Sequence, residues 1–458
     1  MLSKISQFSP KELIERYRRG DERTRLAIRN SRMSLLAKCI SIFCTLAIVP
    51  LTINYVNPTR YGIWMTLSGM IGWMAFFDLG FGNGFRNRFA EAKAKGDTLL
   101  ARQYLSTTYF AIFVIMSLLY SIISIGNQWL NWSGILNVDP HYNEELRKVF
   151  FIVSSFFCLN MVVNIFSALV SADQRIGLAS LISGIGQIVS LIVIFILTRT
   201  TEGSLITLAT YYSGIPMLVI LAFSIIMYSF GRYKPYRPRF SDIRLSLVKH
   251  IMGLGLQFFI INFCLILVFQ LVNFVIMREV GAESVTIYNV ANKYFNVLYM
   301  LVTISVTPLW SAFTDAFTKK DFQWMKNTFN KLSKFLTFLI GAYLLLLLIS
   351  PFIYQLWVGD SVHIKFIISL FVMLLSIGQS VSTTYMYMVN GIGAIRLQLV
   401  VYLFFAIISW PMMVLGAQHF GLLGILIIPT IVYFTQGLLA KAQLQKILSN
   451  KATGIWIK

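Results

Sequence analysis

The chain has 458 residues, 57% hydrophobic and 12% charged, with 39 Lys/Arg against 18 Asp/Glu and a formal net charge of +21. A soluble domain carries about 25% charged residues, so a conventional water-soluble enzyme or binding domain is excluded. The apolar residues fall in unbroken runs: 105–125, 149–170, 176–197, 204–230 and 251–277 hold no Asp, Glu, Lys or Arg. About 20 such residues cross a bilayer as a helix, whereas barrel strands alternate polar and apolar over about ten. The composition therefore predicts an all-α polytopic membrane protein.

In chain order, residues 1–33 read as a cytoplasmic, basic, amphipathic lead-in. Ser9 can cap a helix there, Pro10 fits its first turn, and Glu12 completes a capping box. No small-residue cleavage site follows the first apolar run, which is expected to be a retained helix. Twelve spans are predicted, at 34–56, 61–83, 104–126, 149–171, 176–198, 204–229, 251–277, 284–311, 332–350, 364–389, 395–417 and 420–440. They divide into an N-terminal six-helix lobe (34–229), a basic cytoplasmic linker (230–250), a C-terminal six-helix lobe (251–440) and a basic tail (441–458).

Basic residues set the orientation. With the N-terminus in the cytoplasm, 32 of the 39 Lys/Arg fall on cytoplasmic segments, including those at the very start of span 1. Only Arg60, Arg147, Lys148, Arg199, Arg278 and Lys365 fall outside, and Lys293 lies within a span. Both termini are therefore expected in the cytoplasm. The positive charge is divided among seven short segments, which suits topology and anionic lipid headgroups and argues against nucleic acid. Cys39, Cys44, Cys158 and Cys264 lie in apolar runs, and His141, His250, His363 and His419 are scattered without metal-ligand spacing. No metal site, cofactor site or catalytic nucleophile is expected.

The sequence repeats weakly. "FAEAKAKGD" (89–97) aligns with "FTDAFTKKD" (313–321) at an offset of 224, and "VNPTRYGIW" (56–64) meets "VGAESVTIY" (280–288) at the same offset. Spans 1–6 thus resemble spans 7–12. Six spans per half is an even number, so the halves are pseudo-symmetric parallel repeats about an axis along the membrane normal, with a substrate cavity expected between them.

Polar residues within spans mark candidate cavity walls. In span 8, Asn289, Asn292, Lys293 and Asn296 recur at i, i+3, i+4 and i+7, on one helical face. Lys293 lies about 12 Å inside the external end. Facing lipid, its ammonium would cost about 2.5–3.5 kcal/mol; a wet cavity or an anionic partner would remove most of that. Span 7 offers Asn262, Gln270 and Asn273, span 4 offers Asn160, Asn164, Ser167 and Ser171, and span 10 offers Gln379, Thr383, Tyr387 and Asn390. For each stripe the alternative is interhelical hydrogen bonding, worth about 0.6 kcal/mol apiece. A base among amides suits an anionic, hydroxyl-rich substrate.

The end of span 2, "FFDLGFGNGFRNRFAEAKAKGD" (76–97), sets Asp78 before Gly80, Gly82 and Gly84, then Arg86 and Arg88 at the inner mouth. Gly80 and Gly84 form a small-xxx-small pair, and a kink or hinge is equally compatible. No strand precedes the glycines and no P-loop lysine follows, which argues against a nucleotide loop. Asp78 can hold Arg86 or Arg88 when no ligand is present, and ordinary positive-inside anchoring also explains the arginines.

Residues 60–97, particularly "YGIW" and "DLGFGNGFRN", resemble bacterial O-antigen and capsule repeat-unit flippases, a branch of the multidrug/oligosaccharidyl-lipid/polysaccharide exporter superfamily. The resemblance implies movement of an undecaprenyl-diphosphate-linked oligosaccharide from the cytoplasmic to the periplasmic leaflet of the inner membrane by alternating access. It also implies a cationic cavity between the lobes, coupling to a proton or sodium gradient with Asp78 as the candidate acid, and work alongside polysaccharide polymerase and chain-length machinery. The expected functional unit is a monomer. Two rivals stand beside it: an ion-coupled multidrug antiporter of the same fold, and a non-transporting scaffold recruiting partners through its basic N-terminus.

Overall fold

A computed structural model describes residues 22–74, 81–252 and 263–457, and its regular structure is helical. Residues 1–21, and with them the capping box expected at Ser9–Glu12, lie outside the described residues. So do Asp78, Gly80 and Asn262. Among the described residues, nine helices are long and apolar enough to cross a membrane, corresponding to spans 1, 3–6 and 9–12. Span 2 is described as Pro58–Gly72 and Phe81–Ala94, span 7 as Ser246–Met252 and a stretch that passes through a π-helical turn, Ile266–Gln270, into Val272–Glu279, and span 8 as Ala282–Thr318. The molecule has twelve spans in two six-helix lobes.

Spans 8 and 9 are longer than their apolar runs. Ala282–Thr318 and Phe322–Val358 have 37 residues each, about 55 Å at 1.5 Å per residue against a hydrocarbon core of about 30 Å. The basic segment expected to be a loop between them is mostly helix continued into water. Hydropathy sees only the part of a helix that meets lipid.

The repeat is built into the backbone at the offset of 224. Pro58 and Ala282 open spans 2 and 8; Thr98 and Phe322 open spans 3 and 9. The turns before them carry matched positive φ values, 74° at Asn57 and 111° at Gly281, then 76° at Gly96 and 57° at Lys320. The Asp97 carboxylate accepts from Leu100 N–H at 2.8 Å, and Asp321 accepts from Trp324 N–H at 3.0 Å, the same N-cap in both halves.

Two large buried cores show how the halves meet. One runs from the half of the N-terminal lobe nearest the turn between spans 1 and 2 (Val49, Ile53, Trp64, Leu67) into the C-terminal lobe (Val285, Val302, Tyr343, Met388). The other fills the opposite half of the N-terminal lobe with Phe81, Phe85, Phe89 and Phe166. Among the described residues, the lobes share a core on the side of the turn between spans 1 and 2.

At the end of the N-terminal lobe opposite the turn between spans 1 and 2, Asp173 is buried and holds cations from three segments. Lys93 is in direct contact, Arg232 and Arg175 lie at 3.3 and 3.5 Å, and the Tyr233 hydroxyl donates at 3.1 Å. Burial, aided by the Arg232 and Arg175 charges, holds the Lys93 ammonium below the usual lysine value. The linker is fastened nearby to span 3. Arg102 pairs with Asp242 at 2.5 Å, and backbone N–H groups of Arg239 and Arg244 donate to Ser106 and Thr107 hydroxyls at 3.1 and 2.9 Å. Asp173→Asn is expected to destabilise the protein by about 1.5–3 kcal/mol, the range for charge-assisted hydrogen bonds. Thermal unfolding in detergent checks this, and an unchanged midpoint would mean the cations are held by something else.

Candidate functional site

The first turns of spans 2 and 8 cross at the repeat axis. Span 2 brings Gly62 and Thr66; span 8 brings Ala282 and Thr286. Both are small residues four apart, the spacing that lets membrane helices approach closely. A Cβ on Gly62 would lie 1.9 Å from the Ala282 carbonyl oxygen. The Thr286 hydroxyl donates to the Pro58 carbonyl at 2.6 Å. These two contacts are one contact seen twice, because Gly62 and Thr286, and Pro58 and Ala282, are partners at the offset of 224. Thr59 and its repeat partner Glu283 face each other at 3.5 Å, as residues beside such an axis must.

Lys293 breaks this symmetry. Its repeat partner is Gly69, which has no side chain. The Lys293 ammonium reaches from span 8 into the N-terminal lobe and donates to the Tyr61 hydroxyl at 2.9 Å. The same ammonium sits 5.5 Å from the centre of the Tyr61 ring, a distance at which cation–π attraction operates. Tyr212 is a further neighbour, packed edge-to-face on Trp64 at 5.4 Å. Lys293 is half-buried between the lobes, and its burial is relieved by a phenol and a ring face where an anion or a wet cavity was expected.

The amides divide. Asn289 is buried and donates to Asn273 at 2.9 Å and to the Val285 carbonyl at 2.8 Å, so these two expected residues meet and satisfy one another. Asn292 and Asn296 are half-buried on span 8, while Gln270 is exposed on the π-helical turn of span 7. Further along, Tyr299 of span 8 meets Thr383 of span 10 at 3.2 Å, and Trp310 packs edge-to-face on Tyr387 at 5.4 Å. The half-exposed Gln379, Thr383 and Tyr387 therefore continue an uncharged, hydrogen-bonding wall.

Arg86 and Arg88 are not brought to Lys293. They lie on Phe81–Ala94, at the other end of span 2 from the crossing. Arg88 is engaged by Glu91 at 3.2 Å and by the His250 carbonyl at 3.3 Å, and Arg86 is half-exposed. Gly84 presses on the helix Ser246–Met252 that begins span 7, since a Cβ there would lie 1.9 Å from the Ile251 carbonyl oxygen. Gly82 is half-exposed on the same helix. Among the described residues, no group of His, Cys, Asp or Glu is arranged to hold a metal ion.

Sequence reasoning missed Tyr61 and Tyr212 around Lys293, Trp64 behind Tyr212, and Thr286 at the crossing. The signal for Tyr61, Gly62 and Trp64 was present in "YGIW"; Tyr212 carries no local signature.

Comparison with known proteins agrees with this architecture. Residues 27–314 match the family model described as polysaccharide biosynthesis protein. A Salmonella typhi protein provisionally named an O-antigen transporter is 20% identical over 293 residues, covering 64% of this chain and 66% of its own length, so the match spans just under two thirds of that relative. An inward-facing multidrug resistance MATE family transporter of the MOP superfamily superposes with a TM-score of 0.71 at 13% identity, covering 92% of this chain and 95% of the other. A MOP superfamily transporter from Pyrococcus furiosus, described as having a binding pocket of reverse polarity, superposes with a TM-score of 0.64 at 14% identity, covering 94% of this chain and 96% of the other. At these identities the structural likenesses establish the fold.

Proposed function

The chain belongs to the polysaccharide biosynthesis protein family, and on that premise we propose that it is a flippase for lipid-linked oligosaccharides. The substrate is an oligosaccharide on undecaprenyl diphosphate. It is moved from the cytoplasmic to the periplasmic leaflet of a bacterial inner membrane, with both termini of the protein in the cytoplasm, to supply a surface polysaccharide. The observation that carries this reading is Lys293: a cation on an amide-bearing face, held between two lobes by a phenol.

A phenol is a good resting partner for a transport lysine. It satisfies one of the three ammonium donors without neutralising the charge, and an arriving diphosphate makes the stronger, charge-assisted bond. The uncharged wall of Tyr299, Gln379, Thr383 and Tyr387 is suited to sugar hydroxyls. Arg86 and Arg88, at the cytoplasmic end, attract the diphosphate before it enters. The arrangement described here is read as the state closed on the outside, and delivery requires the crossing of spans 2 and 8 to part. We assign the driving force to a proton or sodium gradient, with Asp78 as the acid to test first. Polysaccharide polymerase and chain-length proteins are the partners such a step serves, and a monomer contains both lobes that it needs.

The test is flipping in proteoliposomes. A fluorescent undecaprenyl-diphosphate oligosaccharide should become accessible to an externally added, membrane-impermeant glycosidase only when the protein is present. Failure to move it, together with gradient-driven efflux of a small cationic dye, would establish the multidrug reading. Failure with both, and loss of polysaccharide assembly on deleting residues 1–28, would favour the scaffold reading.

A further inference from the structure

A groove runs down the outer face of the N-terminal lobe between spans 3 and 4, away from the crossing of the lobes. Its cytoplasmic part, about 300 Å³, is lined by Phe110, Phe113 and Val162 of the two spans and by Pro238, Arg239 and Phe240 of the linker. Its deeper part, about 260 Å³, shares Phe113 and Val162 and continues past Ser155 and Leu159 to Tyr120. From Ser106 at the mouth to Tyr120 at the far end is 14 residues of span 3, about 21 Å along the axis. One leaflet of hydrocarbon is about 15 Å deep, so the groove is long enough to take an acyl chain through the whole leaflet, with about 6 Å left for the mouth in the headgroup layer.

The mouth is built for an anion. The backbone N–H of Arg239 is tied to the Ser106 hydroxyl, which fixes the residue over the groove. Its guanidinium has no hydrogen-bond or ion-pair partner among the described residues. Asp242, the nearest acid in the linker, is already taken by Arg102 and leaves the charge of Arg239 uncancelled. Lys234 and Arg237 are exposed nearby. Phe230 and Phe240 are each 91% exposed, an apolar surface that a lipid would cover. Basic pockets on the cytoplasmic side of spans recognise anionic lipid headgroups.

We infer that this groove is a binding site for an anionic phospholipid of the cytoplasmic leaflet, with one acyl chain between spans 3 and 4 and the phosphate on Arg239. The proposal does not depend on what the lobes transport. The lipid would cover the seam between span 3, span 4 and the linker, and so brace the linker against the N-terminal lobe.

Native mass spectrometry of the full chain in detergent, titrated with phosphatidylglycerol or with phosphatidylcholine of the same acyl chains, tests this. The wild type should retain phosphatidylglycerol roughly fivefold more tightly than phosphatidylcholine, the gain expected of one surface cation. Arg239→Glu should abolish that preference, and Arg239→Lys should keep most of it. Ser155→Phe, which fills the apolar part, should weaken retention of both lipids. Equal retention of the two lipids by the wild type, or an Arg239→Glu variant that still prefers phosphatidylglycerol, would overturn the proposal. So would undecaprenyl phosphate displacing phosphatidylglycerol in a manner that Arg239→Glu and Ser155→Phe both block, since the groove would then belong to the substrate.

Discussion

Gly62→Val is expected to abolish export by preventing the lobes from closing on the outside. The Cβ it adds would fall 1.9 Å from a backbone carbonyl oxygen of span 8, and no side-chain rotation relieves a clash with backbone. Overpacking at a tight site costs about 1–3 kcal/mol, which shifts the balance of closed and open states by roughly 5- to 150-fold. The protein should still fold, because the clash disappears when the lobes part on that side. The measurement is labelling by a membrane-impermeant maleimide of a cysteine placed at Gly69 in a cysteine-free background. Labelling from outside should rise in the valine variant while transport falls. A variant that transports normally would mean that spans 2 and 8 do not need to approach this closely.

Lys293→Ala is expected to remove substrate recognition while leaving the crossing intact. The lost charge-assisted hydrogen bond is worth about 1.5–3 kcal/mol, or roughly 10- to 100-fold in affinity for the diphosphate. Lys293→Arg should retain part of the activity, because the positive charge stays. Tyr61→Phe separates the two roles of the pair. It removes the resting partner and keeps the ring, so it should leave export largely unchanged, whereas a residue needed to bind sugar would not tolerate the change. Binding of the fluorescent lipid-linked oligosaccharide to purified variants checks the series. Undiminished binding by Lys293→Ala would take this lysine out of the mechanism.

Much of the architecture was legible because lipid imposes it. A helix must satisfy its own backbone in hydrocarbon, so apolar runs such as 176–197 mark spans directly. The repeat was legible at "FAEAKAKGD" and "FTDAFTKKD" because helix N-caps and positive-φ turns demand particular residues, as at Asp97 and Asp321. The true length of spans 8 and 9 was hidden, since Lys326, Lys331 and Lys334 are as compatible with a helix in water as with a loop. At the site, Lys293 stood out because a charge within a span is rare. Its surroundings did not. Tyr61 and Tyr212 are 151 positions apart, and an aromatic residue in a span is ordinary until packing places it beside an ammonium. The Asp173 cluster was invisible for a similar reason, as its cations come from three separate segments whose basic residues topology alone explains.

The most direct measurement joins Thr59 to Glu283, the pair that straddles the repeat axis at 3.5 Å. Both are changed to cysteine in a background lacking Cys39, Cys44, Cys158 and Cys264, and bridged by a disulfide or a short bis-maleimide. Alternating access predicts that the bridged protein binds the lipid-linked oligosaccharide from the cytoplasmic side but delivers none, and that reducing the disulfide restores delivery. Undiminished delivery with the bridge in place would contradict the account.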